Sequence, residues 1–354
     1  MNTVLYASPL VPVEWLAAHG LRPIWWRGTG QGFTSSPARD SDRRGAPPPS
    51  ASPIRGRRGV CPLAAAVVDG GAPASAMVLT TACDQMRYAA SWREHQQRLP
   101  TFVMNVPSTW QTETSRSLYR AELMRLSRFL VARGGARPSR EALAAVMCEF
   151  DGARDRLREI RDRLSGRELA AALIRVRETA APSDNQLAAA SLPSFDGQSS
   201  GDPCGDGALR LALAGGPVCE SDYGLFDWIE QAGGRIVLDA TEWGERTLPR
   251  AFAAERTRCD PLAELADAYF GAIPDVFRRP NHMLYDYLGR EMSARHVRGL
   301  IVRRYLWCDL WHAEVAPLKA WSRVPVLDLE AADSEAGSAE RSRGRIEAFL
   351  EMLA

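Results

Sequence analysis

Three observations predict an α/β fold of two parallel-sheet lobes with a helical insert between them. The chain has 354 residues, too many for one ordinary core, and its 45% apolar and 25% charged content is that of a globular protein. Short apolar runs alternate with helical stretches towards both ends of the sequence. The middle, from Ser115 to about Thr179, is helical in pattern almost throughout.

The first lobe is built from "TVLYAS", "RPIWW", "MVLTT" and "TFVMNV", each short and rich in β-branched or aromatic residues. "PVEWLAAHG" supplies a helix between the first two. The insert contains "EALAAVMCEFDGARDRLREIRDRL", strongly periodic and laced with charges at helical spacing. The second lobe offers the strands "LRLALAG", "RIVLDA", "GLIVRRYLW" and "PVLDLE". Its helices are "YGLFDWIEQAGG", "HMLYDYLGREMSARH" and the closing "RIEAFLEML". Strands alternating with helices in this rhythm form parallel sheets through right-handed crossovers, so each lobe is expected to be Rossmann- or flavodoxin-like. Two segments read as loops, Gly28 to Gly59 and Ser183 to Gly207. The expected division is an N-terminal lobe at 1–114, the insert at 115–182, a linker at 183–207 and a C-terminal lobe at 208–354. No internal repeat is visible in the residues.

Composition excludes several classes. Lysine and arginine total 44 against 43 acids, a net charge of +1, so no global field draws nucleic acid or an anionic membrane surface. No apolar run reaches the roughly 18 residues that span a bilayer. The opening "MNTVLYASPLVPVEW" lacks the basic region and apolar core of a secretory signal. Seven widely spread cysteines fit a reducing cytoplasm, where thiols are free, metal-bound or catalytic.

The cysteines carry the chemistry. Cys61 precedes "PLAAAVV", and proline is favoured in the first turn of a helix. Cys83 leaves the strand of "MVLTT" where the next helix begins, and Cys308 does the same after "GLIVRRYLW". At such seams the helix dipole and free backbone N–H groups favour the thiolate, the form that binds metal. The plain alternative for each is an inert core thiol, but core cysteines have no reason to prefer strand ends. Cys219 in "GGPVCESDYG" stands at a similar seam, either as a further ligand or packed behind the turn. Cys148 and Cys259 read as structural, and Cys204 as exposed. The spacing makes no CxxC ribbon and no ferredoxin run. His312, one turn beyond Cys308, leaves a zinc site of Cys61, Cys83, Cys308 and His312 conceivable, or stands as a donor behind the ligands or a surface residue.

Weaker patterns complete the reading. "GTGQGF" at 28–33 mimics a phosphate loop but opens into Pro- and Ser-rich chain, not a helix. Gly215 and Gly216 either let an anion approach a helix start or merely make a tight turn. Asp84 and Asp309 are candidate helix caps, and Arg87, Arg303 and Arg304 candidate partners for CoA phosphates or plain surface charges. No GxSxG, HExxH or Walker loop occurs.

Nearly end to end, the chain resembles the 2-hydroxyacyl-CoA dehydratase family, which takes in the 2-hydroxyglutaryl-CoA dehydratase D-component and the B/C-type subunits of ATP-dependent benzoyl-CoA reductase. The resemblance rests on "VPVEWLAAHGLRPIWW", the cysteine at 61, "TTACDQMRYAASW", "LPTFVMNVP" and "YRAELMRLSRFL". It continues through "GGPVCESDYGLFDWIEQAGGRIVLDATEWGER", "LIVRRYLWCDLWHAEVAPLKAW", "VPVLDLE" and "RSRGRIEAFLEML". The Arg- and Pro-rich 28–59 segment and the run after Pro182 have no counterpart in that pattern.

The resemblance implies a 4Fe–4S cluster held by three cysteines, which fall here on Cys61, Cys83 and Cys308. It implies an enzyme subunit, a hydro-lyase converting a 2-hydroxyacyl-CoA to an enoyl-CoA through a ketyl radical, or a related aryl-CoA reductase. Implied partners are a homologous second subunit in a heterodimer, an ATP-dependent activator carrying its own iron–sulfur cluster, and an acyl-CoA substrate. A subunit that only relays electrons is the alternative within the same resemblance. A zinc-bound α/β protein is the alternative outside it.

Overall fold

The computed structural model describes residues 2–26, 59–69, 73–95, 99–178, 207–331 and 338–354. Its first half runs β1 (Thr3–Tyr6), α1 (Val13–Ala18), β2 (Arg22–Trp25), α2 (Pro62–Asp69), β3 (Ala76–Thr80), α3 (Asp84–His95) and β4 (Thr101–Met104). The four strands form one parallel sheet in the order β2-β1-β3-β4. Leu5 faces Ile24 on one side and Met77 on the other, and Val78 faces Phe102. Strand β3, "AMVLT", is buried along its whole length, as a parallel strand covered on both faces must be. The run at 28–33, Cys204 and nearly all of the two expected loops lie outside the described residues.

Three helices follow, α4 (Glu113–Val131), α5 (Arg140–Ile160) and α6 (Gly166–Glu178). The hydroxyls of Thr112 and Ser139 accept the backbone N–H of Ser115 and Ala142, so the first two start on side-chain caps. Tyr119, Leu123, Leu126 and Leu130 of α4, and Leu143, Met147 and Phe150 of α5, join the core of the first sheet. Helix α6 reaches both halves, placing Ile174 in that core and Ala170 in a core of the second sheet.

The second half runs β5 (Leu209–Gly215), α7 (Gly224–Gln231), β6 (Gly234–Thr241), α8 (Ala254–Cys259), α9 (Pro261–Ala266), α10 (His282–Ala294), β7 (Gly299–Tyr305), α11 (Asp309–Trp321), β8 (Val326–Ala331) and α12 (Ser338–Leu353). Its sheet is again parallel, in the order β6-β5-β7-β8. The two-lobed parallel α/β prediction therefore holds, with four strands in each sheet. Gly215 ends β5 at φ +131°, and a Cβ there would lie 1.7 Å from the Arg303 carbonyl oxygen. Only glycine lets β5 and β7 approach at that point.

The stretch between β6 and α10 was not read from the residues. Helix α9 leads into a π-helical turn at Asp267–Gly271, and Leu265, Tyr269 and Phe270 pack into the core of the first sheet. The Tyr269 hydroxyl donates to Glu14 Oε2 at 2.7 Å, and Arg154 pairs with Glu14 Oε1. One buried carboxylate thus ties α1, α5 and the π-helical turn together. Cys148 and Cys259, expected to be structural, are exposed.

Candidate functional site

The three singled-out cysteines stand directly before helices α2, α3 and α11. In both sheets the same spacing places them: Thr81 and Ala82 separate β3 from Cys83, and Leu306 and Trp307 separate β7 from Cys308. Cys61 is buried in an apolar cluster with Trp25, Trp243, Cys219 and Tyr305, and Cys83 and Cys308 pack partly buried against that cluster. Gln85 fixes the first two relative to each other. Its Oε1 accepts the Cys61 N–H at 3.1 Å, while its Nε2 donates to the Gly59 carbonyl at 3.1 Å.

Burial pushes all three thiols above their ordinary range. Cys83 rises to about 11 and Cys308 to about 12, and Cys61 rises further. The charges of Cys83 and Cys308 also raise Cys61, and that of Cys83 raises Cys308. Backbone N–H groups at the helix starts act the other way: Ala64 and Leu63 on Cys61, Met86 and Gln85 on Cys83, and Trp311 on Cys308. The site is a place where thiolates are costly unless a positive group faces them.

One acid faces the same place. Glu242 follows β6 directly, its N–H donating to the Gly215 carbonyl at 3.0 Å and its own carbonyl accepting from Thr247 Oγ1 at 2.7 Å. Its charge raises Cys83, Cys308 and Cys219. Burial, then Asp275, pushes the Glu242 carboxyl up to about 7, while Arg246 and Arg177 pull it down. Neither Glu242 nor Gln85 was read from the sequence. The signals were present: an acid at a strand exit in "DATEWGER", and an amide two residues past Cys83.

The remaining expectations divide. Cys219 is packed behind the turn, its Sγ 3.5 Å from the Tyr305 hydroxyl. Asp84 opens α3 and pairs at the surface with Arg87 at 3.0 Å. Asp309 is the first residue of α11, and the position before it is Cys308, whose side chain makes no capping hydrogen bond. Arg303 and Arg304 are not free for CoA phosphates. Arg303 is buried, donating to the Pro217 carbonyl at 2.7 Å and to Asp222 at 2.5 Å, and Arg304 is held by Asp328 and Glu330. Gly215 is explained by its close approach to Arg303 rather than by an anion. The His312 side chain is exposed, and among the described residues no three His, Cys, Asp or Glu are grouped to hold a metal ion. The mononuclear zinc arrangement is therefore not assembled.

Among the described residues no helix is long and apolar enough to cross a membrane. A search of curated proteins finds no match. The family model of the 2-hydroxyglutaryl-CoA dehydratase D-component matches residues 10–353. A chain matched over nearly its whole length, folded as two parallel α/β lobes, belongs to that family and is a component of a 2-hydroxyacyl-CoA dehydratase.

Proposed function

We propose that this chain is the iron–sulfur subunit of an ATP-activated radical 2-hydroxyacyl-CoA dehydratase, or of a related aryl-CoA reductase, working in the cytoplasm. The observation that carries the reading is the family match over residues 10–353, supported by the place of Cys61, Cys83 and Cys308 directly before three helices. A single ion with metal–sulfur bonds of about 2.3 Å needs sulfurs no more than about 4.6 Å apart. A 4Fe–4S cluster instead takes one thiolate at each of several irons. Its positive irons would also meet the need for counter-charge left by one buried and two partly buried thiols.

With such a cluster held by Cys61, Cys83 and Cys308, the site would supply a low-potential one-electron centre. The chain's own residues would do the rest. Gln85 keeps the Cys61 segment against α3. Trp25 and Trp243, in edge contact with ring centroids 6.1 Å apart, belong to the same apolar cluster as Cys61 and would help keep water from it. Partners in this reading are a homologous second subunit, an activator with its own iron–sulfur cluster, and the acyl-CoA.

The test is reconstitution under anaerobic conditions with a homologous subunit, an activator and ATP. ATP-dependent conversion of an (R)-2-hydroxyacyl-CoA to the enoyl-CoA is expected, with loss of conversion when Cys83→Ser or Cys308→Ser replaces the native chain. Conversion unchanged in both variants contradicts the reading. Conversion that survives mutation of the partner's cluster ligands excludes a relay-only role for this chain.

A further inference from the structure

One acid beside the cysteines has no task within the chain itself. Glu242 is the first residue after β6, and it is only partly buried between the buried Thr241 and Trp243. Its carboxylate makes no hydrogen bond and no ion pair among the described residues. Its oxygens are not among the sealed polar atoms, so they keep access to open space. The backbone that carries it is fixed. The Glu242 N–H donates to the Gly215 carbonyl at 3.0 Å, and the Gly216 N–H donates to the Arg303 carbonyl at 3.0 Å. These bonds lock the exits of β6, β5 and β7 side by side, with Cys308 just beyond the last of them. The outer two exits stand two strand spacings apart, about 10 Å.

Packing and charge tie this carboxylate to the thiols. The next residue, Trp243, lies in the apolar cluster that holds Cys61, and Cys83 and Cys308 pack against that cluster. The charge of Glu242 acts on both Cys83 and Cys308. The nearest cations are engaged elsewhere, Arg246 with Asp275 and two carbonyls, Arg177 with the Gly244 carbonyl and Thr247. A free carboxylate is opposed by thiolates around it, unless all of them face one positive group. Other donors near the thiols are spent or turned away. Asp84 pairs with Arg87 at the surface, Asp309 and His312 are exposed, and Cys219 Sγ lies 3.5 Å from the Tyr305 hydroxyl. Three cysteines leave one iron of a four-iron cluster without a thiolate, and carboxylates are established ligands of iron.

We propose that Glu242 supplies the carboxylate ligand to the iron that Cys61, Cys83 and Cys308 leave open. The proposal rests on the iron–sulfur reading above, and its test separates the two. The full chain and its Glu242→Ala, Glu242→Gln and Glu242→Cys variants are loaded anaerobically with iron and sulfide, then reduced. Electron paramagnetic resonance is recorded in water carrying a magnetic oxygen isotope, which broadens the signal where water binds iron. Broadening is expected in Glu242→Ala and Glu242→Gln, and not in the native chain or in Glu242→Cys. After mild oxidation, the first two variants should lose one iron to a chelator at least about tenfold faster than the native chain. Glu242→Cys should lose it no faster. If Glu242→Ala fails to fold, the near-isosteric Glu242→Gln decides. Equal line widths and equal iron loss in the native chain and Glu242→Gln overturn the proposal and leave the iron–sulfur reading standing. A native chain that takes up no cluster overturns both.

Discussion

The two sheets are built alike and furnished differently. Each is parallel with the order 2-1-3-4 of its own strands, and in each the third strand of that order exits through two residues to a cysteine and an aspartate at a helix start. "TACD" after β3 and "LWCD" after β7 share little else. The other exits differ. The first half adds Cys61 ahead of α2, while the second adds Glu242 after β6 and Cys219 after β5. Shared topology thus delivers two thiols to one place, and asymmetry at the neighbouring exits decides what else meets them. A repeat in topology need leave no repeat in sequence, because parallel sheets constrain hydrophobicity far more than identity.

The comparison breaks most visibly at the cysteines. Cys83→Ser and Cys308→Ser, the matched pair, should each remove most of the iron bound after anaerobic reconstitution, as read by iron analysis and visible absorbance. Cys219→Ser, at an exit with no counterpart, should keep it. Retention of iron by either matched variant, with far-UV circular dichroism unchanged, would contradict the equivalence of the two exits.

Next in size is a pair of glycines, one from each half. Gly215→Ala should cost about 3 kcal/mol or more, since φ is +131° and its Cβ meets the Arg303 backbone. Gly20→Ala, at φ +73° with nothing within 4 Å, should cost only about 1 kcal/mol. Urea unfolding measures both, and equal losses would mean that the close approach of β5 to β7 carries no weight.

Much of this was legible in the residues and some was not. Apolar runs such as "MVLTT" and "GLIVRRYLW" announce buried parallel strands because both faces must be covered. The exits to Cys83 and Cys308 followed from them. Arg303 and Arg304 read as surface charges or phosphate partners because a sequence does not reveal that Asp222, Asp328 and Glu330 lie opposite them. Glu242 stands at a readable strand exit, but the groups that act on it, Asp275, Arg246 and Arg177, are distant along the chain or not readable as its neighbours. The short helices α8 and α9 carry too few turns for periodicity to announce them.

Smaller effects sharpen the contrast. Gln85→Ala should lower stability by about 1–2 kcal/mol by removing two hydrogen bonds to the Cys61 segment, with faster iron loss to a chelator than from the native chain. The second half has no such amide beside Cys308 among the described residues. Unchanged chelation kinetics would remove Gln85 from the account.

A pH effect confined to the first half comes last. His19 is buried, its Nδ1 2.7 Å from the Trp15 carbonyl and its Nε2 2.7 Å from Ser127 Oγ. The carbonyl can only accept, so Nδ1 carries the proton and Nε2 accepts from the Ser127 hydroxyl. Burial holds the ring below its ordinary value of 6.5, so the unfolded chain takes up a proton before the folded one does. The stability that depends on neutral His19 is full above pH 6.5 and is lost as pH falls below it. His19→Gln should flatten that part of the stability profile, and an unaltered slope would show that His19 does not set it.

The most direct test is the iron and acid-labile sulfide content of the native chain purified without oxygen. Equal amounts, in the stoichiometry of one 4Fe–4S cluster per chain, are expected. A colourless chain with neither element after reconstitution, or stoichiometric zinc in their place, would contradict it.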